Sequence, residues 1–253
     1  MIQNRLKRWP ARLFLKKISG MILAITGVLI VVLSGLSYYG NSVGDLVVTV
    51  DDVINRSLSL SETGEFGAAD ASTMLAARGI KDIRDSTYYY IPDDITEGNG
   101  VKTDEKSNMY FAYSFYLKNA SNVSVSYSAT VSIDQQSKGI DKAVRIMIVV
   151  DEDEPMIYAR PKAVDAETGE LIPEVLEDQG NASVIMKGYS TIPFTGSRFS
   201  AVNQKVMEIG QIQKYTVVIW IEGWDDECND AIIGGNLEIS MTFRILEGNE
   251  QYL

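Results

Sequence analysis

Between Tyr215 and Gly235 the chain reads YTVVIWIEGWDDECNDAIIGG, and this stretch holds the residues best able to do chemistry. Glu222, Asp225, Asp226, Glu227 and Asp230 crowd together there, with Asn229 among them. Hard oxygen donors packed this closely can hold Ca²⁺, which makes Glu222, Asp225, Asp226 and Asp230 the candidate metal ligands. The spacing is not that of an EF-hand, which needs oxygens at alternate positions, a glycine at six and a glutamate at twelve. The other reading is a solvated acidic loop between two core strands, with Trp220 or Trp224 packed beneath it. Glu222 and Asp225 also have the residue types of a glycosidase pair, two acids flanking a scissile bond. Such pairs arise readily by chance in a chain with 34 acidic residues.

Cys228 lies in the same loop and is the only cysteine, so no disulfide can form within one chain. It reads by default as a small buried apolar residue, with a free thiol or an intermolecular crosslink as the other options. Histidine is absent. That removes Ser-His-Asp and Cys-His catalysis, HExxH zinc proteases and most zinc sites. No residue in the sequence can be assigned a catalytic role.

The elements that would position this loop read as strands. Thr216, Val218, Trp220 and Glu222 share one face of a strand over Lys214–Trp224, and Val217, Ile219 and Ile221 share the other. MYFAYSFYLK, from Met109 to Lys118, alternates in the same way, with Phe111, Tyr113, Phe115 and Leu117 opposite Tyr110, Ala112, Ser114 and Tyr116. Its aromatic residues suit either a core or a sugar-binding platform. Asn119 to Asn122 turns the chain, and Val123 to Asp134 alternates again. Further strands are expected at Asp45–Asp51, Arg56–Glu62, Ala143–Val150, Met156–Val164, Val184–Gly188, Lys205–Glu208 and Asn236–Glu247. Ala-rich sequence followed by Gly79 predicts one short helix at Ala69–Arg78. Ser86 to Lys106 reads as a strand end and a long exposed loop, and Ala166 to Ser183 as a loop or arm. Nine or ten short strands without α-β alternation predict a mainly β chain, a single two-sheet β-sandwich of jelly-roll kind. Its span would be residues 45–253.

Ahead of that domain, Ile18 to Tyr39 runs 22 residues without a charge. As a helix it would extend ~33 Å, about the thickness of a bilayer's hydrocarbon core. Residues 1–17 contain Arg5, Lys7, Arg8, Arg12, Lys16 and Lys17 and no acid. This asymmetry predicts a cytoplasmic tail at 1–17, a transmembrane or signal helix at 18–39, and an exported remainder. The apolar core is long for a signal peptide, which favours an uncleaved single-pass anchor. Gly40 and Ser42, small residues at −3 and −1, also permit a cut before Val43, and then the domain would be secreted.

Without the six basic residues of the tail, 17 basic residues stand against 34 acidic ones, a balance of −17. Such a charge repels phosphate backbones, so nucleic acid is excluded as a partner; cations, basic partners or plain solubility are favoured. Export without disulfides suits a bacterium with a single membrane. Four N-x-S triplets, at Asn55, Asn119, Asn122 and Asn181, are too short a motif to decide anything.

The leader ending in YYGNSVGD, the strand pair YFAYSFYLKNAS and VSYSATVSI, and the segments DKAVRIMIVVD and YTVVIWIEGWDDECNDAIIGGNLEISMTF together resemble the TasA/camelysin-like surface proteins of Gram-positive bacteria. Trp220, Glu222, Gly223, Asp225 and Cys228 form a W-x-E-G-x-D-x-x-C pattern found in membrane-anchored proteins of that general type. The resemblance implies a jelly-roll-like sandwich, export by a dedicated signal peptidase, and fibres in biofilm matrix built by donated strands. In that mode each subunit lends an N-terminal strand to its neighbour's sheet, and Asp45–Asp51 is the stretch placed to do so. The family's link with metalloprotease activity is discounted here, because this chain has no histidine. Two functions follow as expectations. One is a non-enzymatic surface protein acting in assembly or adhesion, as a homo-oligomer or with another surface protein. The other is a membrane-tethered module that binds calcium, sugar or peptide through the Trp220–Asp230 loop.

Overall fold

The computed structural model describes residues 45–51, 58–80, 83–103, 108–176, 179–181, 184–186 and 188–246. The basic tail at 1–17, the apolar segment at 18–39 and the cut before Val43 lie outside the described residues. Among the described residues no helix is long and apolar enough to cross a membrane.

In chain order the strands are β1 (Leu46–Asp51), β2 (Leu58–Ser61), β3 (Met74–Ala77), β4 (Asp85–Ser86), β5 (Gly100–Thr103) and β6 (Phe111–Asn119). They continue with β7 (Val125–Gln136), β8 (Val144–Val150), β9 (Met156–Ala159), β10 (Ala163–Val164), β11 (Leu171–Ile172) and β12 (Val175–Leu176). Last come β13 (Gln179–Asn181), β14 (Val184–Met186), β15 (Tyr189–Pro193), β16 (Arg198–Met207), β17 (Ile212–Glu222) and β18 (Leu237–Leu246). The chain is mainly β. The helical turns among the described residues are three 3-10 turns of three residues each.

Two large sheets dominate. One runs β16–β7–β18–β1–β3. The other runs β12–β15–β9–β8–β17–β6–β2, with β4 against the end of β17 and β5 sharing the outer edge of β6 with β2. Period-two patterning builds both. Val125, Tyr127, Ala129, Val131 and Ile133 of β7 face the core, as do Phe111, Tyr113, Phe115 and Leu117 of β6. Rings from both sheets meet there: Phe115 stacks on Tyr215 at 5.6 Å, and Phe243 of β18 meets Tyr215 edge-on at 4.9 Å. Each large apolar side chain buried this fully contributes about 1.5–3 kcal/mol, which is how a domain with no disulfide holds itself.

Met74–Ala77 is a strand, which corrects the expected helix at Ala69–Arg78. It pairs antiparallel with β1, Ala77 opposite Leu46 and Met74 opposite Thr49, and so closes the edge that β1 would otherwise leave open. A helix of about ten residues is marginal in water, and the ladder with β1 outweighs alanine's preference. Ser86 to Thr103 is also less exposed than its turn residues imply. Ile91 and Ile95 are buried on the outer face of the nine-stranded sheet, against Met147, Val149, Val218 and Trp220. In consequence all seven residues of β8 are buried. Within Ala166 to Ser183, the expected loop or arm, the chain forms short strands instead: β11 pairs with β10, β12 with β15 and β13 with β14.

Two polar devices lock the core. Asn119, the first residue of one N-x-S triplet, is wholly buried, and its Nδ2 donates to the carbonyls of Val123, Met207 and Glu208. It thereby ties the β6–β7 turn to the β16–β17 turn. Between the sheets, Tyr127 of β7 donates its hydroxyl proton to Gln213 Oε1 at 2.5 Å, and Tyr215 of β17 donates to Tyr127 in turn. Burial pushes the Tyr127 phenol up to about 12, partly offset by the Tyr215 bond. Replacing Tyr127 by Phe strands both partners in the core, where an unsatisfied polar group costs about 1–3 kcal/mol. The expected result of Tyr127→Phe is a loss of that size in urea denaturation at unchanged m-value. A loss below about 0.5 kcal/mol, the range of ordinary surface changes, would contradict the inter-sheet link.

Candidate functional site

Strand β17 places Trp220 and Glu222 on the outer face of the nine-stranded sheet, as their spacing predicts, and both are wholly buried. Glu222 Oε2 accepts from Trp220 Nε1 at 3.1 Å and from the Tyr189 hydroxyl at 2.8 Å. Its other oxygen accepts from the Trp224 amide at 3.4 Å. Trp224 itself is half exposed, so Trp220 is the tryptophan beneath the loop. Tyr88 stacks on Trp220 at 6.1 Å and meets Tyr189 edge-on at 5.5 Å, closing the group from the covering segment. Burial, opposed by Arg145 and reinforced by Glu222, holds the Tyr189 phenol far above its ordinary value.

Across the ladder from Trp220 stands Arg145 of β8, also wholly buried. Its Nη2 donates to Asp225 Oδ2 at 2.7 Å and to Glu174 Oε2. Its Nη1 reaches the carbonyls of Val144 at 3.3 Å and Lys142 at 3.5 Å, while its Nε has no partner among the described residues. Burial alone would lower the guanidinium's pKa. Tyr189, Asp225 and Glu174 outweigh it, and the net direction is up. Glu174 is raised too, by burial first and by the nearby Asp225 and Glu222 charges, against the pull of Arg145. One cation thus holds two carboxylates, with the Glu222 charge acting on Glu174 beside it.

The backbone fixes each member in place. Thr191, buried on β15, donates its amide to the Glu174 carbonyl at 2.9 Å and accepts the Glu174 amide on its hydroxyl at 2.9 Å. Asp225 uses its second oxygen to accept the Glu227 amide at 2.8 Å, an Asx turn that starts the acidic loop. Gly223 permits a close approach: a Cβ there would lie 3.1 Å from Asp85 Oδ2 and 3.3 Å from the Ser86 carbonyl.

The acids therefore do not converge as the calcium reading requires. Glu222 is sealed by Tyr189 and Trp220, Asp225 serves Arg145, and Glu227 pairs with Lys142 at 3.4 Å on the surface. Asp226 and Asp230 are exposed. Among the described residues no three acidic or thiol groups gather to hold a metal ion. Cys228 is half buried against the core, and burial together with Asp85, Asp225 and Glu222 raises its thiol, so it is not a poised thiolate. No family model, curated protein or solved structure matches this chain. In this arrangement one buried guanidinium clamps the Glu174 strap and the Asp225 loop onto the sheet.

Arg145, Glu174 and Tyr189 are absent from the candidates read in the sequence. The signal for Arg145 was present as a lone charge inside AVRIMIVV, a run otherwise fit only for a core. Its partners lie 29 and 80 residues away, and no local pattern points to them.

Removing the cation leaves its carboxylates facing one another in a poorly hydrated place. Arg145→Met should cost about 3–5 kcal/mol at pH 7, the usual penalty for breaking a buried pair. Without Arg145, Glu174 loses the charge that opposes its burial and rises further above its unfolded value. The native state then binds protons more readily than the unfolded chain, and the loss shrinks as pH falls through the carboxylate range. Thermal unfolding from pH 7 to pH 4 checks this. A penalty that does not change with pH would contradict the clamp.

Proposed function

We propose that this chain is a non-enzymatic cell-surface protein, a jelly-roll-like sandwich that acts in surface or matrix assembly by exchanging its first strand between copies. Residues 18–39 would tether it to the membrane, and strand exchange between copies would follow where the chain is cut before Val43. The observation that carries this reading is the position of β1. It lies parallel to β18, the last strand among the described residues, and antiparallel to β3, so both of its edges are paired. Leu46 and Val48 are wholly buried, and Val50 nearly so. A β1 from a second copy would make the same ladder and fill the same core positions, so exchange requires no new complementary surface. The strand follows closely on the apolar segment of the sequence, so cleavage would free one end of it.

The first experiment is the mass and N-terminal sequence of the protein from cell surface and medium, with sedimentation velocity on the released form. A new N-terminus near Val43 and polymers that grow with concentration are expected. Trimming residues 43–51 should abolish them. An intact chain confined to membranes, or a released form that stays monomeric at every concentration, would overturn the reading.

A further inference from the structure

β1 and β2 lie in different sheets, yet the first finishes and the second starts at the same end of the domain. Asp51, the last residue of β1, pairs with Arg244, and Arg244 pairs with Ser128, near the start of β7. Leu58, the first residue of β2, stands opposite Asn119, the last residue of β6. The side chain of Asn119 binds the carbonyls of Val123, Met207 and Glu208 there, so the β6–β7 and β16–β17 turns form one braced cap. Ser124 Oγ donates to the Glu208 carboxylate at 2.6 Å, a second tie between the turns.

This cap carries apolar side chains into solvent. Val123 is 56% exposed, Val206 52%, Ile209 62% and Ile212 43%. Single exposed apolar residues are ordinary on a protein surface, whereas several on one rigid platform mark a place of contact. The connection between β1 and β2 says what makes that contact. Residues 52–57 lie outside the described residues, and the seven positions from Asp51 to Leu58 reach at most about 25 Å when fully extended. When β1 of one copy occupies the sheet of another, its Asp51 stands at the second copy's cap while its Leu58 stands at its own. The two caps are then held no farther apart than this tether allows.

We infer that the apolar cap is the contact surface between exchanged copies, and that its occupant is the same cap of a second copy. This contact accompanies the strand exchange proposed above and rests on that reading. The short tether keeps one cap at high effective concentration beside the other, so a small apolar contact suffices. Because β1 leaves its own domain and enters its neighbour's at the same end, every junction of a polymer falls on caps. They line its spine, and the rest of each domain projects to the side.

The test uses the released domain from Val43 onward, with Cys228→Ser throughout. Copies carrying Thr49→Cys are mixed with copies carrying Thr242→Cys, and a disulfide between them reports that β1 of one lies in the sheet of the other. In parallel preparations, spin labels at Ala120→Cys, an exposed position of the β6–β7 turn, report the caps. Labels on neighbouring copies should lie within the reach of the tether, about 25 Å. The double substitution Val123→Asp, Ile209→Asp puts like charges on both sides of each junction. It should raise the concentration needed for polymers at least tenfold and leave the monomer's melting temperature unchanged. A disulfide without short label distances, or polymers of the double variant at the parent's concentration, would overturn the cap contact and leave strand exchange standing. Absence of the disulfide would remove both.

Discussion

A guanidinium with no access to water is the constraint on which much of this structure turns. Arg145 lies in a strand whose seven residues are all buried, because β8 has the core on one side and the covering segment on the other. An ion in that position costs several kcal/mol unless other groups neutralise it. Asp225 and Glu174 do so, from opposite directions in the sequence, and each brings its own piece of chain to the sheet. The Asp225 loop and the Glu174 strap thus have defined places although neither contains much regular structure. Glu222 completes the group by fixing the Tyr189 and Trp220 rings, on which Tyr88 of the cover rests.

The same economy governs the inner face. With a single cysteine, the two sheets are joined by packing and by a few directed polar contacts, of which the Tyr127–Gln213 bond and the Tyr127–Tyr215 bond cross the core directly. The first strand has a different character. β1 is six residues long, and its ladder partners β18 and β3 come from distant parts of the chain. Its contribution is a row of apolar side chains and two ladders, a unit that a second copy can supply in identical form.

Much of the fold was legible because strands announce themselves by alternation. The two faces of β6 and β17 were assigned residue by residue from period two, and the core follows that assignment. What failed has physical causes. Ala76 and Ala77 favour a helix by propensity, but they stand opposite Val47 and Leu46 in the ladder with β1, a pairing invisible in a local window. The turn-rich stretch after Ser86 looked exposed because Pro, Asp and Gly dominate it, while Ile91 and Ile95, two residues among many, do the covering. At the site, Glu222 and Asp225 were found by their acidity, while their partners Tyr189 and Arg145 were not. A carboxylate pair in sequence does not reveal that an arginine far upstream has taken one of its members.

Under the proposed function β1 leaves its own sheet for that of another copy. Thr49 and Thr242 are direct partners in the β1–β18 ladder, with side-chain oxygens 3.2 Å apart, so cysteines at those two positions lie side by side. The decisive measurement compares the released domain carrying Thr49→Cys, Thr242→Cys and Cys228→Ser in its oxidised and reduced forms. Sedimentation should show monomers while the intramolecular bond holds β1 in place and polymers once it is reduced. Polymers from the oxidised monomer, or none from either form, would contradict strand exchange.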